Sequence, residues 1–265
     1  MRIIRPAAAV LLLALLALPL VPLDAAQGSP SVRGLGAGQF RRQPRQATAA
    51  VEYDGNFVFT RIRYGSGLRG FRGGGSWAHD YPMADRNLGA ILDYTSNIRV
   101  RLDGTNVFDL DDPGIFENPI IYVSEPGFWT IAPSEAENLR EHLLKGGFII
   151  FDDFEGDRDW RNLTAQMARA LPDHHFLPIT VEHPIFHSFF DIQKLDVPHP
   201  LVNVIPGYRA IFEHNDPSGR MIALANWNND LAEYWEWSAE GLYNPDPTND
   251  AYRLGVNYIV YAMTH

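Results

Sequence analysis

Along the chain, short apolar runs bounded by turn residues alternate with stretches in which apolar positions recur every three or four residues. The clearest run is Phe148-Ile149-Ile150-Phe151, set between Gly146-Gly147 and Asp152-Asp153. Its length and its β-branched and aromatic content predict a buried strand. Phe57–Ile62, Ile120–Val123 and Met221–Ala225 have the same character. Ile98–Leu102 and Val107–Leu110 are predicted as short strands around an Asp103-Gly104 turn, and Ile179–His187 as a strand running into a proline turn. Helical spacing predicts a helix over Ala84–Tyr94, with Leu88, Ile91 and Leu92 inward. A Ser134/Glu137 capping box opens the next, with Ala136, Leu139 and Leu143 inward and Gly146 as its left-handed cap. Trp160–Leu171, stopped by Pro172, and Asp250–Met263, with Ala251, Leu254, Tyr258 and Ala262 as its inner stripe, complete the set.

Strands alternating with helices predict an α/β fold with a doubly wound, mostly parallel sheet. Strands covered on both faces read as continuous apolar runs, and ligands of such sheets bind beyond the carboxyl ends of the strands. Side chains just after each run are therefore the first place to look for chemistry.

Composition narrows the choice. A length of 265 residues suits one large α/β domain, and 46% hydrophobic content supplies its core. The chain has no cysteine, which excludes a disulfide, a thiol nucleophile and a lipid-acceptor thiol. Arg2 and Arg5, the apolar run Ala7–Leu20 and the small residues Ala25 and Ala26 read as a secretory signal over residues 1–26, predicting a periplasmic or extracellular protein. Leu23 and Asp24 disturb the cleavage site, so an uncleaved anchor is the alternative and the one expected route to a membrane, although Pro19 and Pro22 keep the run below the ~20 residues of a span. Residues 27–50 read as a flexible Gly/Arg/Gln/Pro linker and 51–265 as a single α/β domain. Setting aside residues 1–46 leaves 16 basic against 31 acidic residues, a net charge of −15. So acidic a body argues against nucleic acid and suits a small molecule, sugar, peptide, metal ion or basic protein partner.

The strand-end rule gathers Glu125, Asp152, Asp153, His183 and Asp230. Carboxylates grouped with a histidine can hold a divalent metal through oxygen ligands, or divide acid and base roles. On this reading Asp152, Asp153 and His183 are the catalytic candidates, while Tyr64, Glu125, Trp129, Asn228 and Asp230 are ligand-binding candidates, their rings suited to apolar faces and their polar groups to orientation. A cap or brace is the structural alternative for the aspartates, and a turn histidine for His183. His79 and Asp80 could bind a metal together, but their place before a helix reads as cap or turn. Glycines crowd residues 65–75 without the spacing of a nucleotide or flavin fingerprint, His183 and His187 lack a zinc-protease helix, and Ser66 and Ser124 lack a nucleophile elbow.

Phe57–Gly67, Trp77–Asn87, Tyr122–Gly127, Leu139–Phe154 with its Gly-Gly and Asp-Asp pairs, His183-Pro184-Ile185-Phe186 and Leu254-Gly255-Val256-Asn257 together resemble a bacterial family known as domain of unknown function 4159, over about residues 56–264. Leu139-Arg140, Leu143 and Gly146-Gly147, the His-Pro-Ile turn and the Gly219-Arg220 strand are more distantly similar to trehalose-utilisation-type proteins of the class I glutamine amidotransferase-like fold. That resemblance implies a flavodoxin-like three-layer α/β/α sandwich. Amidotransferase chemistry needs a cysteine nucleophile, which this chain lacks. The function favoured is thus an exported, non-amidotransferase ligand-binding or assembly module of the cell envelope. A hydrolase with a carboxylate or carboxylate-metal site at the strand ends is the alternative.

Overall fold

A computed structural model describes residues 50, 51, 53–65 and 76–265. The predicted signal, the linker apart from residue 50, and positions 66–75 of the glycine-rich loop, Ser66 included, lie outside the described residues. Among the described residues, seven strands form one sheet: β1 (Thr60–Ile62), β2 (Asn106–Phe108), β3 (Ile120–Ser124), β4 (Phe148–Asp152), β5 (Leu177–Pro178), β6 (Gly207–Phe212) and β7 (Met221–Trp227). Their order across the sheet is β2-β1-β3-β4-β7-β6-β5. The first five run parallel, β6 pairs antiparallel with β7, and β5 pairs antiparallel with β6.

The central parallel strands β3, β4 and β7 bury both faces, as their continuous apolar runs require. Ile121, Val123, Ile149 and Phe151 point to one side, where they meet Leu139 and Leu143 of α2 (Pro133–Leu144) and Leu163 and Met167 of α3 (Gly156–Ala170). Tyr122, Phe148 and Ile150 point to the other, against Leu88 and Leu92 of α1 (Met83–Thr95), Trp235 of α4 (Leu231–Glu236) and Leu254 and Tyr258 of α5 (Pro245–Thr264). Each such side chain contributes about 1.5–3 kcal/mol on burial, so the two clusters hold the helices to the sheet. No helix among the described residues is long and apolar enough to cross a membrane.

Several local expectations are corrected. Ile98–Leu102 and Val107–Leu110 do not pair with each other. Asn106–Phe108 joins β1 in parallel, and Val100 makes only an isolated bridge to Phe57. The α2 helix begins at Pro133, and the Glu135 carboxylate accepts from the Ala132 amide at 2.5 Å, in place of a Ser134/Glu137 box. Ile179–His187 is not a strand: its chain turns through a short 3-10 segment, Pro184–Phe186. β6 had no expectation at all.

The sheet register decides which residues can meet. Ser124 lies opposite Asp152, and Phe151 opposite Ala225. Glu125, Asp153 and the segment Asn228–Asp230 therefore leave the sheet at one edge. Phe212, the last residue of β6, pairs with Met221, the first of β7, and so lies at the opposite edge.

Candidate metal centre

The first contribution comes from the segment between β1 and α1. Arg61, in the middle of β1, is fully buried, and a buried guanidinium must be paired and hydrogen-bonded. It donates to both Asp85 oxygens on α1, at 3.3 and 2.6 Å, and to the carbonyl oxygens of Trp77 and His79, at 3.0 and 2.6 Å. Burial works against its charge, but Asp85 holds its pKa above even the usual arginine range. These bonds pin the turn that presents His79 and Asp80.

The second contribution follows β4, where adjacent aspartates part ways. Asp152 accepts four hydrogen bonds: from the Tyr122 hydroxyl (2.9 Å), the Asn226 amide (3.1 Å) and the backbone amides of Leu231 (3.0 Å) and Ala232 (3.1 Å). Its pKa is pushed up to about 6 by burial, with these bonds opposing the rise. Asp153 takes a left-handed backbone, φ 62°, which swings its carboxylate elsewhere. One of its oxygens accepts from the Ser124 hydroxyl at 3.0 Å and lies 2.7 Å from His79 Nδ1.

The third comes from the start of α4. Asp230 caps this helix, one oxygen accepting from the Glu233 amide at 3.0 Å. Its other oxygen is buried with no hydrogen-bond partner among the described residues. The same holds for both oxygens of Asp80, which is 4% exposed. His79 Nδ1 lies 3.5 Å from Asp80 Oδ1. One ligand atom from each of His79, Asp80, Asp153 and Asp230 falls within 4.8 Å of all the others.

Burial and mutual repulsion dominate the electrostatics. Burial first, then Asp230, pushes Asp80 up to about 9, well above the usual carboxylate range. Burial also raises Asp153, helped by Asp80 and Glu125, and raises Asp230, helped by Asp153 and Asp152. Partial burial pulls His79 down, yet the acids around it, Asp80 foremost, hold its pKa above the ordinary value. Such a group must hold protons or a cation. Hard divalent ions sit about 2.0–2.6 Å from their oxygen ligands, which places ligands on opposite sides of an ion about 4–5 Å apart. The spread of these four donors fits that span.

A family model covers residues 58–263, the whole of the sheet and every residue of this cluster. The chain belongs to the DUF4159 family. That family is described as a domain of unknown function, and no curated protein is significantly similar to the chain.

Within this DUF4159 domain, Asp153 and Asp230 meet as the strand-end rule expects. Glu125 stands at the same rim in a left-handed conformation, φ 47°, near enough to act on His79 and Asp153 through its charge. Asp152 is spent on the fold. His183 lies at the opposite edge of the sheet, its Nδ1 accepting from the Ile185 amide at 3.2 Å and its ring against Phe212 and Tyr261. It is a turn histidine and takes no part in the cluster. Tyr64 is buried, donating its hydroxyl to the carbonyls of Ser124 and Glu125 at 2.8 Å. Trp129 is fully buried against Phe151, 5.4 Å between ring centroids. The Asn228 side chain braces loops, accepting from Gly156 N at 2.9 Å and donating to Ile205 O at 3.0 Å. These three brace the site and do not line it. His79 and Asp80 supply half of it, and the cap reading fails for them: α1 has no side-chain cap bond. The sequence signal was weak, since the pair comes 17 residues after β1, past the glycine-rich stretch, whereas Asp153 and Asp230 come one and three residues after their strands.

Proposed function

We propose that this domain binds a divalent cation through His79, Asp80, Asp153 and Asp230 and acts as a metal-dependent hydrolase. The observation that carries this reading is Asp80, buried with neither carboxylate oxygen hydrogen-bonded among the described residues and facing two further acids and a histidine. A buried carboxylate without partners is costly to the fold, and a cation supplies what it lacks. The exposed side of His79 leaves coordination positions for water and substrate, as a catalytic rather than a closed structural site requires. In that role the cation supplies an activated water and an electrophile. His79, Asp80, Asp153 and Asp230 would hold it, and the Ser124 hydroxyl fixes the Asp153 carboxylate that faces the His79 ring.

The order β2-β1-β3-β4-β7, with helices on both faces, supports a flavodoxin-like three-layer sandwich of the class I glutamine amidotransferase-like type, extended by β6 and β5. Its switch point lies between β1 and β3, where ligands of such sheets bind, and the cluster stands at that edge. The basic, apolar and small-residue pattern of the first 26 residues supports an exported enzyme.

Calorimetric titration of the chelator-treated chain with Mn²⁺ should show saturable binding that Asp80→Asn and Asp153→Asn abolish. Asn tolerates the left-handed backbone at both positions. Asp80→Asn should also stabilise the metal-free protein, by about 1 kcal/mol or more, because burial forces Asp80 to take up a proton on folding, whereas Asn needs none and loses no hydrogen bond. Mn²⁺ should stimulate hydrolysis of ester or phosphate test substrates. Absence of binding at millimolar Mn²⁺ ends the proposal; binding without turnover across such substrates returns the domain to a ligand-binding module.

A further inference from the structure

We propose that a second divalent cation sits between Asp80, Glu233 and Glu236, with Asp80 bridging the two ions. This inference rests on the cation reading above and extends it. One ligand atom from each of these three residues lies within 4.8 Å of the others. One ion would engage one oxygen of Asp80, yet both oxygens are buried and lack partners among the described residues. A bridging carboxylate uses both.

The chain is built to supply the second set. Asp230, Glu233 and Glu236 follow one another at intervals of three, so the short helix α4 stacks its carboxylates along one side. Glu233 accepts from the Tyr243 hydroxyl at 2.6 Å, which fixes the carboxylate while leaving its second oxygen for an ion. Asn87, on α1, donates to the carbonyls of Trp235 and Glu236 at 2.8 and 3.3 Å and ties the end of α4 to the helix that follows Asp80. Two ions sharing a carboxylate stand about 3.5–4 Å apart and clamp the attacking and leaving oxygens of an in-line displacement.

The ligand class follows from charge. The acids Asp80, Glu125, Asp153, Asp230, Glu233 and Glu236 give an anion no favourable charge when no cation is bound, and two divalent ions turn the same hollow into an anion receptor. The substrate assigned is a phosphate monoester. Water forms a bond to phosphorus as the bond to the alcohol oxygen breaks; the alcohol leaves with a proton, and inorganic phosphate stays on the ions.

The test uses the full chain with Mn²⁺ alone, then with inorganic phosphate. Wild type should bind two equivalents of Mn²⁺ and show an exchange-coupled electron paramagnetic resonance signal. Glu236→Gln, at a half-buried position, should bind one equivalent with the six-line signal of an isolated ion. Phosphate should bind Mn²⁺-loaded wild type and bind Glu236→Gln at least tenfold more weakly. One equivalent in both proteins, or two uncoupled ions in wild type, overturns the bridged pair and leaves the first site standing. No equivalents overturns the cation reading itself. A coupled pair that does not bind phosphate overturns the assigned substrate class.

Discussion

Asp152 and Asp153 share a peptide bond and little else. The left-handed turn at Asp153 sends its carboxylate to His79, whereas Asp152 stays in the strand and accepts four hydrogen bonds from β3, β7 and α4. Asp152→Ala should therefore destabilise the protein by about 3 kcal/mol or more, since it leaves buried donors unmatched. Asp153→Asn should leave stability within about 1 kcal/mol and abolish Mn²⁺ binding. Urea denaturation beside calorimetric titration reads both, and equal destabilisation by the two would make Asp153 a structural residue. Among the described residues, four left-handed non-glycine residues, Asp80, Glu125, Asp153 and Asn228, sit at this edge of the sheet. Such backbones cost about 1–2 kcal/mol each and concentrate where function over-determines them. This was not legible in the sequence, because an Asp pair after a strand reads the same whichever member turns away.

At the scale of elements, the Arg61–Asp85 pair links β1 to α1 and pins the turn between them. Arg61→Met should cost about 3–5 kcal/mol by leaving Asp85 buried and unpaired. Arg61→Lys should fold better and still weaken Mn²⁺ binding, because one ammonium cannot hold Asp85 and two carbonyls in a planar fork. Unchanged Mn²⁺ affinity in the lysine variant would show that the turn holds its shape without Arg61. The buried parallel strands β3, β4 and β7 were legible because their apolar runs are continuous. β6 was not, because Arg209 interrupts its apolar pattern; that side chain lies over Trp160 and Trp227, 4.7 and 5.0 Å from the ring centroids. Trp235 is buried and Trp237 exposed where they end a helix, α4, that no sequence expectation covered. His183 was drawn into the site by expecting a strand there, and periodicity alone carries no information about the edge at which a turn emerges.

Across the whole molecule, acid sensitivity should come partly from a residue far from the cluster. His142, on α2, is buried near Gly147, and burial lowers its pKa to about 4. A base with a depressed folded pKa contributes its full stability above the unfolded value near 6.5, and the unfolded chain takes up the proton first as pH falls. Between pH 6.5 and 4 the protein should therefore lose up to about 3 kcal/mol through this residue. His142→Gln should flatten that part of the stability profile measured by denaturant melts, and an unchanged slope would assign the loss to other groups.

The tryptophans that flank Glu236 give the protein a reporter of its own. Trp235 is buried and Trp237 is 36% exposed, so an ion settling on the intervening carboxylate changes the polarity around the outer indole. Titrating unlabelled protein with a spectroscopically silent ion such as Mg²⁺ should shift the emission, and Trp237→Phe should remove most of the shift. Occupancy could then be followed at micromolar protein concentration, on the timescale of mixing, before any substrate is known.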